Sequence, residues 1–210
     1  MTPPPRTAAL LLCLLGASAL PAKGQKPSND TAENRLCWQE SRLLTWKDFR
    51  APECYGDCRH YPSLTAAASA ARIPIVNFVD GEGRANYHVA CVFRRDSSWV
   101  NPAVTDVEAR AHTLAHEQLH FDTAELVARK IRRYVAERRA ADDDLFGPIV
   151  VTEMQCLLDE YEALSALYDE DTNFRPPAVE AAAQRRWTLR VARELRELDR
   201  YKSTVTTCPE

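Results

Sequence analysis

The amino-acid sequence predicts an α+β fold, in which a small antiparallel sheet with a hairpin packs on one long helix and two further helices follow. Three observations support this prediction. Two β-type runs come first, a long proline-free stretch with apolar residues at helical spacing follows, and two more helical patterns complete the chain. The chain has 210 residues and 45% hydrophobic content, which is enough to bury one core, so a single globular domain is expected.

The hairpin is predicted from residues 66–79 and 85–94, which flank the segment Asp80-Gly81-Glu82-Gly83. Glycines supply the positive φ angles that a tight reversal needs. In the second run, every other residue from Tyr87 to Phe93 is apolar. One face of this strand is therefore strongly apolar, and we expect it to pack on a helix.

That helix is predicted to begin at Thr105, because Thr105-Asp106-Val107-Glu108 has the form of a capping box. No proline interrupts the stretch up to residue 141. The helix-breaking sequence Phe146-Gly147-Pro148 then separates it from a second helix, predicted over residues 151–168. A third helix with dense charge is predicted over residues 178–201.

The N-terminal 24 residues have the three parts of a secretory signal peptide: Arg6, an apolar run over residues 8–15, and small residues up to Gly24. Cleavage after Gly24 is favoured over cleavage after Ala19. The apolar run is shorter than the roughly 20 residues that a bilayer span requires, so no stable membrane insertion is expected after cleavage. We expect residues 25–35 to be a flexible leader and residues 36–210 to form the domain.

Cysteine usage also indicates export. Once Cys13 is removed with the signal, six cysteines remain, at positions 37, 54, 58, 91, 156 and 208. An even number in an exported chain argues for disulfides, so a secreted or periplasmic protein is expected. Cys54, Cys58 and His60 could instead begin a zinc knuckle, but no second close pair completes its four ligands, and a disulfide is favoured.

Charge excludes one class of partner. The formal net charge of −3 gives no overall basic field, and the basic stretches 129–139 and 185–193 are interleaved with apolar helix positions. We therefore expect no nucleic-acid partner.

The candidate chemistry lies at His116-Glu117-Gln118-Leu119-His120, inside the long predicted helix. Residues four apart share one helix face, so both imidazoles can bind one zinc ion. Glu117 lies beside them as the general base that accepts a proton from zinc-bound water. Short motifs also arise by chance on charged helices, but a strongly predicted helix in an exported chain favours the metal site.

A catalytic zinc needs a third protein ligand and an open position. His112 is too far along the helix axis from His120 to share an ion with it. The helical period turns Asp122 and Glu125 away, so they are expected to orient the imidazoles or to cap neighbouring groups. The acidic cluster Asp169-Glu170-Asp171 is the richest remaining supply of oxygen ligands, and we predict Asp169 as the third ligand.

These motifs resemble a bacterial family described as predicted secreted zinc-dependent proteases, otherwise a domain of unknown function. The resemblance rests on residues 116–122 with Glu125, and it extends to residues 44–49, to Phe93 with residues 98–100, and to residues 168–172. It thus covers most of the mature chain and implies a zincin-like fold. The family's later motif ends in a histidine where this chain has Phe174; if that histidine is the family's ligand, Asp169 or Asp171 must substitute for it.

The motif and the resemblance together predict a secreted zinc-dependent metallopeptidase-like hydrolase with a peptide or protein substrate. In this hypothesis His116, His120 and Asp169 bind Zn²⁺, Glu117 is the general base, and Tyr168 steadies the oxyanion. The alternative is a non-catalytic, disulfide-stabilised extracytoplasmic binding domain that keeps the fold, with Phe174 marking lost chemistry.

Overall fold

The computed structural model describes residues 31–54, 65–204 and 206–208, which form small antiparallel sheets and three helices. This arrangement confirms the α+β class. The expected signal peptide, Cys58 and His60 lie outside the described residues. The strands are β1 (Arg35–Cys37), β2 (Ala67–Ala68), β3 (Ala71–Arg72), β4 (Ile75–Val79), β5 (Ala85–Val89), β6 (Val92–Arg94) and β7 (Trp99–Val100). The helices are α1 (Val107–Ala140), α2 (Pro148–Thr172) and α3 (Pro177–Glu197).

The predicted hairpin is confirmed as β4 and β5, which pair antiparallel from Ile75↔Val89 to Val79↔Ala85. Gly83 has a φ angle of 78° in the turn. The Asp80 carboxylate accepts hydrogen bonds from the backbone amides of Glu82 and Arg84, both at 2.9 Å. The turn is thus held by a side chain as well as by glycine.

Each predicted β-type run is divided in the structure, which the sequence analysis did not expect. The first run becomes β2, β3 and β4, and the second becomes β5 and β6. Pro74 has no amide hydrogen for a ladder, and its carbonyl accepts from Ala90 N–H at 3.0 Å. One residue later, Cys91 O accepts from Trp38 N–H at 3.1 Å. The chain therefore changes partners there, and β6 becomes the centre of a sheet in the order β1-β6-β3.

The apolar face of the second run packs on α1, as predicted. Val89, Cys91 and Phe93 are almost completely buried. The Phe93 ring lies 5.6 Å from that of Phe121 on α1 and 5.3 Å from that of Phe49. These contacts bind the sheet to the middle of α1, the part of the helix that carries the candidate motif.

The predicted start of α1 was wrong. The N-cap is Asp106, whose side chain accepts a hydrogen bond from Ala109 N–H at 2.8 Å, and the helix begins at Val107. Aspartate caps a helix at least as well as threonine, so the acidic residue replaces Thr105 in this role. Asp142, just beyond the helix, has a φ angle of 57°.

The bounds of the other two helices also differ from the prediction. Pro148 occupies the first turn of α2, where its missing amide hydrogen costs nothing, so the helix begins three residues early. It continues to Thr172, which places the acidic cluster inside its last turn. α3 ends at Glu197, and a short 3-10 turn follows over Asp199–Tyr201.

The ordered fold begins earlier than expected. Residues 32–34 form a 3-10 turn, and Arg35 pairs with Arg94 in the sheet. These residues were assigned to the flexible leader, but their backbone hydrogen bonds place them in the fold.

The cysteines form disulfides only in part. Cys37 in β1 is joined to Cys208 near the C-terminus, and Cys54 is also disulfide-bonded. Cys91 and Cys156 carry thiols. Cys91 lies in the apolar core, where burial raises the pKa of its thiol well above the ordinary value.

The Cys37–Cys208 disulfide is compatible with an extracytoplasmic location. Within the described ranges, no helix is both long and apolar enough to cross a membrane.

A buried ionic network joins α1 to the C-terminal segment. Glu125 is fully buried, and its carboxylate accepts from Arg129 Nε at 2.9 Å and from an Arg132 guanidinium nitrogen at 3.2 Å. It also accepts from the Ser203 amide at 2.8 Å and from the Ser203 hydroxyl at 2.7 Å. The carboxylate is therefore satisfied on both oxygens.

We expect Glu125→Ala to lower the free energy of unfolding by about 3–5 kcal/mol, because it leaves two largely buried guanidinium groups without their carboxylate. Denaturant unfolding at equilibrium measures this loss. Glu137→Ala is the matched control on the same helix: Glu137 is 58% exposed and pairs with Arg133 at 3.8 Å. Its loss should stay within about 0.5 kcal/mol. Equal losses in the two variants would contradict the assigned role of the network.

Candidate metal centre

The two histidines of the predicted motif lie on one face of α1. His116 and His120 are each 9% exposed, and their Nε2 atoms are 3.1 Å apart. Their rings meet edge to face at a centroid distance of 4.9 Å. A separation of four residues brings side chains of a helix together in this way.

Asp169 comes to the same point from the last turn of α2. Its Oδ1 atom lies 3.1 Å from each of the two Nε2 atoms. Tetrahedral zinc with bonds of about 2.0–2.2 Å places its ligand atoms roughly 3.3–3.5 Å apart, close to this triangle. The three residues could therefore hold a metal ion. The structure thus brings together the three predicted ligands, although Asp169 is 53 residues from His116 and 49 residues from His120 in the chain.

The charges at this centre favour a cation. Burial alone would raise the pKa of Asp169, but the two imidazoles at 3.1 Å from its Oδ1 atom hold that pKa well below the ordinary value. Burial alone would lower the pKa of His120, but Asp169 and the charge of Glu117 raise it above the ordinary value. The site therefore keeps an ionised carboxylate next to nitrogen ligands.

Glu117, the predicted general base, is 5% exposed. Its charge acts on both His120 and Tyr168, which places it near the histidine pair. Among the residues that the structure describes, its carboxylate has no hydrogen bond or ion pair. Its oxygens keep contact with solvent, because Arg95 Nε is the only fully buried side-chain polar atom without a hydrogen bond in the described ranges. The carboxylate is therefore open to accept a hydrogen bond from a water molecule at the centre.

Tyr168 lies behind the two imidazoles. Its ring stacks on His116 at 4.6 Å and meets His120 edge to face at 5.0 Å. The hydroxyl donates a hydrogen bond to Gln184 Oε1 on α3. Burial is the main cause of the raised pKa of Tyr168, and the charges of Glu117 and Asp169 raise that pKa further. The predicted role of this hydroxyl at an oxyanion would require it to leave Gln184.

Three hydrogen bonds from α2 and the residue after it meet the three candidate ligands. Ser165 Oγ lies 2.8 Å from His120 Nδ1, and Thr172 Oγ1 lies 3.4 Å from His116 Nδ1. Asn173 Nδ2 donates to Asp169 Oδ1 at 3.1 Å. Sequence reasoning missed all three residues. Helical spacing from Asp169 could have found Ser165 and Thr172, had the predicted helix not ended at Tyr168.

Other residues discussed in the sequence lie away from the centre. Asp122 accepts hydrogen bonds from Trp38 Nε1 and Gln118 Nε2, both at 2.8 Å. Glu125 accepts from the Ser203 amide in the C-terminal segment. Neither carboxylate orients an imidazole. Asp171 accepts from Trp187 Nε1 at 2.8 Å. The exposed His112 and the 84% exposed Phe174 are not part of the ligand cluster.

No family model, no curated protein and no solved structure matches the chain. The resemblance to secreted zinc-dependent proteases therefore stays a prediction.

Proposed function

We propose that this protein is a secreted or periplasmic zinc-dependent hydrolase that cleaves peptide bonds, with a zincin-like arrangement of its centre. One observation carries the proposal. The two Nε2 atoms of His116 and His120 and the Oδ1 atom of Asp169 form a triangle with 3.1 Å sides. The carboxylate of Glu117, which has no hydrogen bond or ion pair among the described residues, lies near it.

Zinc is the metal that this donor set fits best. Two imidazole nitrogens and one carboxylate oxygen, with a further position left open, are typical of catalytic zinc sites. The Asp169 side chain is 45% exposed, whereas each histidine side chain is 11% exposed, so the open side of the triangle is the side of Asp169. Substrate would approach the centre from there.

When bound, zinc would act as a Lewis acid that lowers the pKa of a water molecule towards about 7 and polarises a carbonyl group. The protein supplies the proton transfers. The Glu117 carboxylate accepts the proton of the attacking water and delivers it to the leaving nitrogen. In the arrangement described here, the ring of Tyr168 supports the imidazoles, and its hydroxyl reaches a developing oxyanion only after release from Gln184.

Metal analysis of the mature chain tests this proposal. We expect about one zinc ion per chain, and hydrolysis of a denatured protein or a mixed peptide library that a chelator abolishes and added zinc restores. The protein should be produced under oxidising conditions, so that the Cys37–Cys208 disulfide forms. Failure to take up zinc after reconstitution would overturn the proposal. Zinc uptake without hydrolysis across the library would favour the non-catalytic binding domain.

A further inference from the structure

One face of α2 meets the histidine pair with three polar side chains in register. Ser165, Asp169 and Thr172 follow one another at intervals of four and three residues, so they share a helix face. Asp169 lies at the Nε2 atoms of the imidazoles. The two hydroxyl groups lie at the opposite ring atoms, the Nδ1 atoms. Each ring is therefore contacted at both nitrogens.

The hydrogen of the Thr172 hydroxyl is already committed. Thr172 Oγ1 donates to the backbone carbonyl of Tyr168 at 2.6 Å. A hydroxyl carries one hydrogen, so Thr172 can only accept from His116. Nδ1 of His116 is then the donor in this contact, and in the neutral imidazole this tautomer leaves a lone pair on Nε2.

Ser165 can do the same for His120. Its Oγ atom lies 2.8 Å from His120 Nδ1, and a hydroxyl oxygen can accept as well as donate. Donation from Nδ1 to Ser165 Oγ is the arrangement that leaves Nε2 free to face the position of the ion. In this tautomer Nε2 of His120 also carries a lone pair.

The result is a set of three acceptor atoms that face one another at 3.1 Å. Such an arrangement is repulsive unless a cation lies between the atoms. Contacts on the far side of each ring must therefore hold the imidazoles in place. The Tyr168 ring, stacked on His116 and edge to face with His120, limits the tilt of both imidazoles, and the hydroxyl contacts limit rotation within the ring plane.

We propose that Ser165 and Thr172 are positioning residues of the metal centre, which fix the tautomer and direction of His120 and His116 so that both Nε2 atoms face the ion. This inference rests on the proposed zinc site. Partners of this kind tune metal affinity through the ligands and do not touch the metal.

The test measures zinc affinity in Ser165→Ala and Thr172→Val by competition with a chromophoric chelator. We expect each variant to bind zinc about 10–100-fold more weakly than the native protein. Co²⁺ substitution gives a second readout, because the visible absorption of the ion reports ligand geometry. We expect altered bands in both variants and native bands in Thr172→Ser, which keeps the hydroxyl.

Thr123→Val is the matched control. Thr123 is a buried threonine on α1 whose hydroxyl donates to the Leu119 carbonyl at 2.8 Å, the same bond that Thr172 makes on α2. Thr123 has no hydrogen bond with an imidazole among the described residues. Its variant should keep the native zinc affinity and Co²⁺ spectrum, whatever the change does to stability.

The outcomes separate this inference from the proposed function. Native affinity and native spectra in both Ser165→Ala and Thr172→Val, with zinc bound by the native protein, would overturn the positioning role and leave the metal site standing. Failure of the native protein to bind zinc would overturn the site itself. If Thr172→Val does not fold, Ser165→Ala decides, because Ser165 is only half-buried.

Discussion

In the His116→Ala variant, we expect zinc binding to weaken by about 10²–10³-fold, since a binding free energy of roughly 10–16 kcal/mol is divided among only a few ligands. His120 and Asp169 would remain, but two ligands do not close a zinc site. Zinc content after dialysis against a weak chelator measures this effect directly. The expected result is about one ion per native chain and close to none in the variant.

His112→Ala is the control for this loss. His112 lies on the same helix one turn earlier, is exposed, and is outside the ligand cluster. We expect it to keep the native zinc content. Zinc should also raise the midpoint of thermal unfolding in the native protein and in His112→Ala, but not in His116→Ala, because only a folded site gains from the ion. Equal zinc loss in both histidine variants would contradict the assigned ligand.

The histidine positions were predictable because they depend on local geometry. A spacing of four residues within an uninterrupted helical pattern is enough to place His116 and His120 on one face. Asp169 was predicted from the supply of oxygen ligands alone. Its meeting with the histidines depends on how α2 packs against α1, and a single sequence does not show this packing.

The residues that support the site could be found by helical spacing only with the correct end of α2 and its packing partner. Ser165 and Thr172 have meaning only once α2 is known to run past Tyr168 and to face the histidines. Glu125 is a similar case. The helical period predicted that Glu125 points away from the histidine face. It could not predict the partner of Glu125, because Ser203 is 78 residues away in the chain. Contacts over such separations are set by tertiary packing.

Cysteine counting shows a different limit. An even number of cysteines favours full pairing in a secreted chain. Cys91, however, lies on the apolar face of the strand run that packs on α1, and it is completely buried. The alternation that predicted this face also places the thiol in the core, where it acts as a small apolar side chain. For Cys91, the alternation of apolar residues therefore predicted the environment of the thiol better than the even number of cysteines did.

In the Glu117→Gln variant, we expect peptide hydrolysis to fall by about 10²–10⁴-fold while zinc remains bound. The amide has nearly the shape of the carboxylate but cannot accept the proton of the attacking water. Because Glu117 is not one of the three candidate ligands, we expect the substitution to leave zinc affinity unchanged. The loss should fall on kcat, since the carboxylate acts in the chemical step. Initial rates over a range of substrate concentrations, with metal analysis of the same sample, measure both quantities.

Stability distinguishes a functional carboxylate from a structural one in this variant. The Glu117 side chain is largely buried but has no hydrogen bond or ion pair in the described part of the chain, so its carboxylate adds little to the stability of the fold. Neutral glutamine removes the charge, and we expect the free energy of unfolding of the metal-free protein to stay level or rise. Glu108→Gln, in the exposed first turn of α1, should change neither hydrolysis nor stability by much. Retained hydrolysis in Glu117→Gln would rule out the general-base role, whereas a loss of stability would make Glu117 a structural residue. If Glu117→Gln is inactive but no less stable than the native protein, the Glu117 carboxylate serves catalysis and does not stabilise the fold.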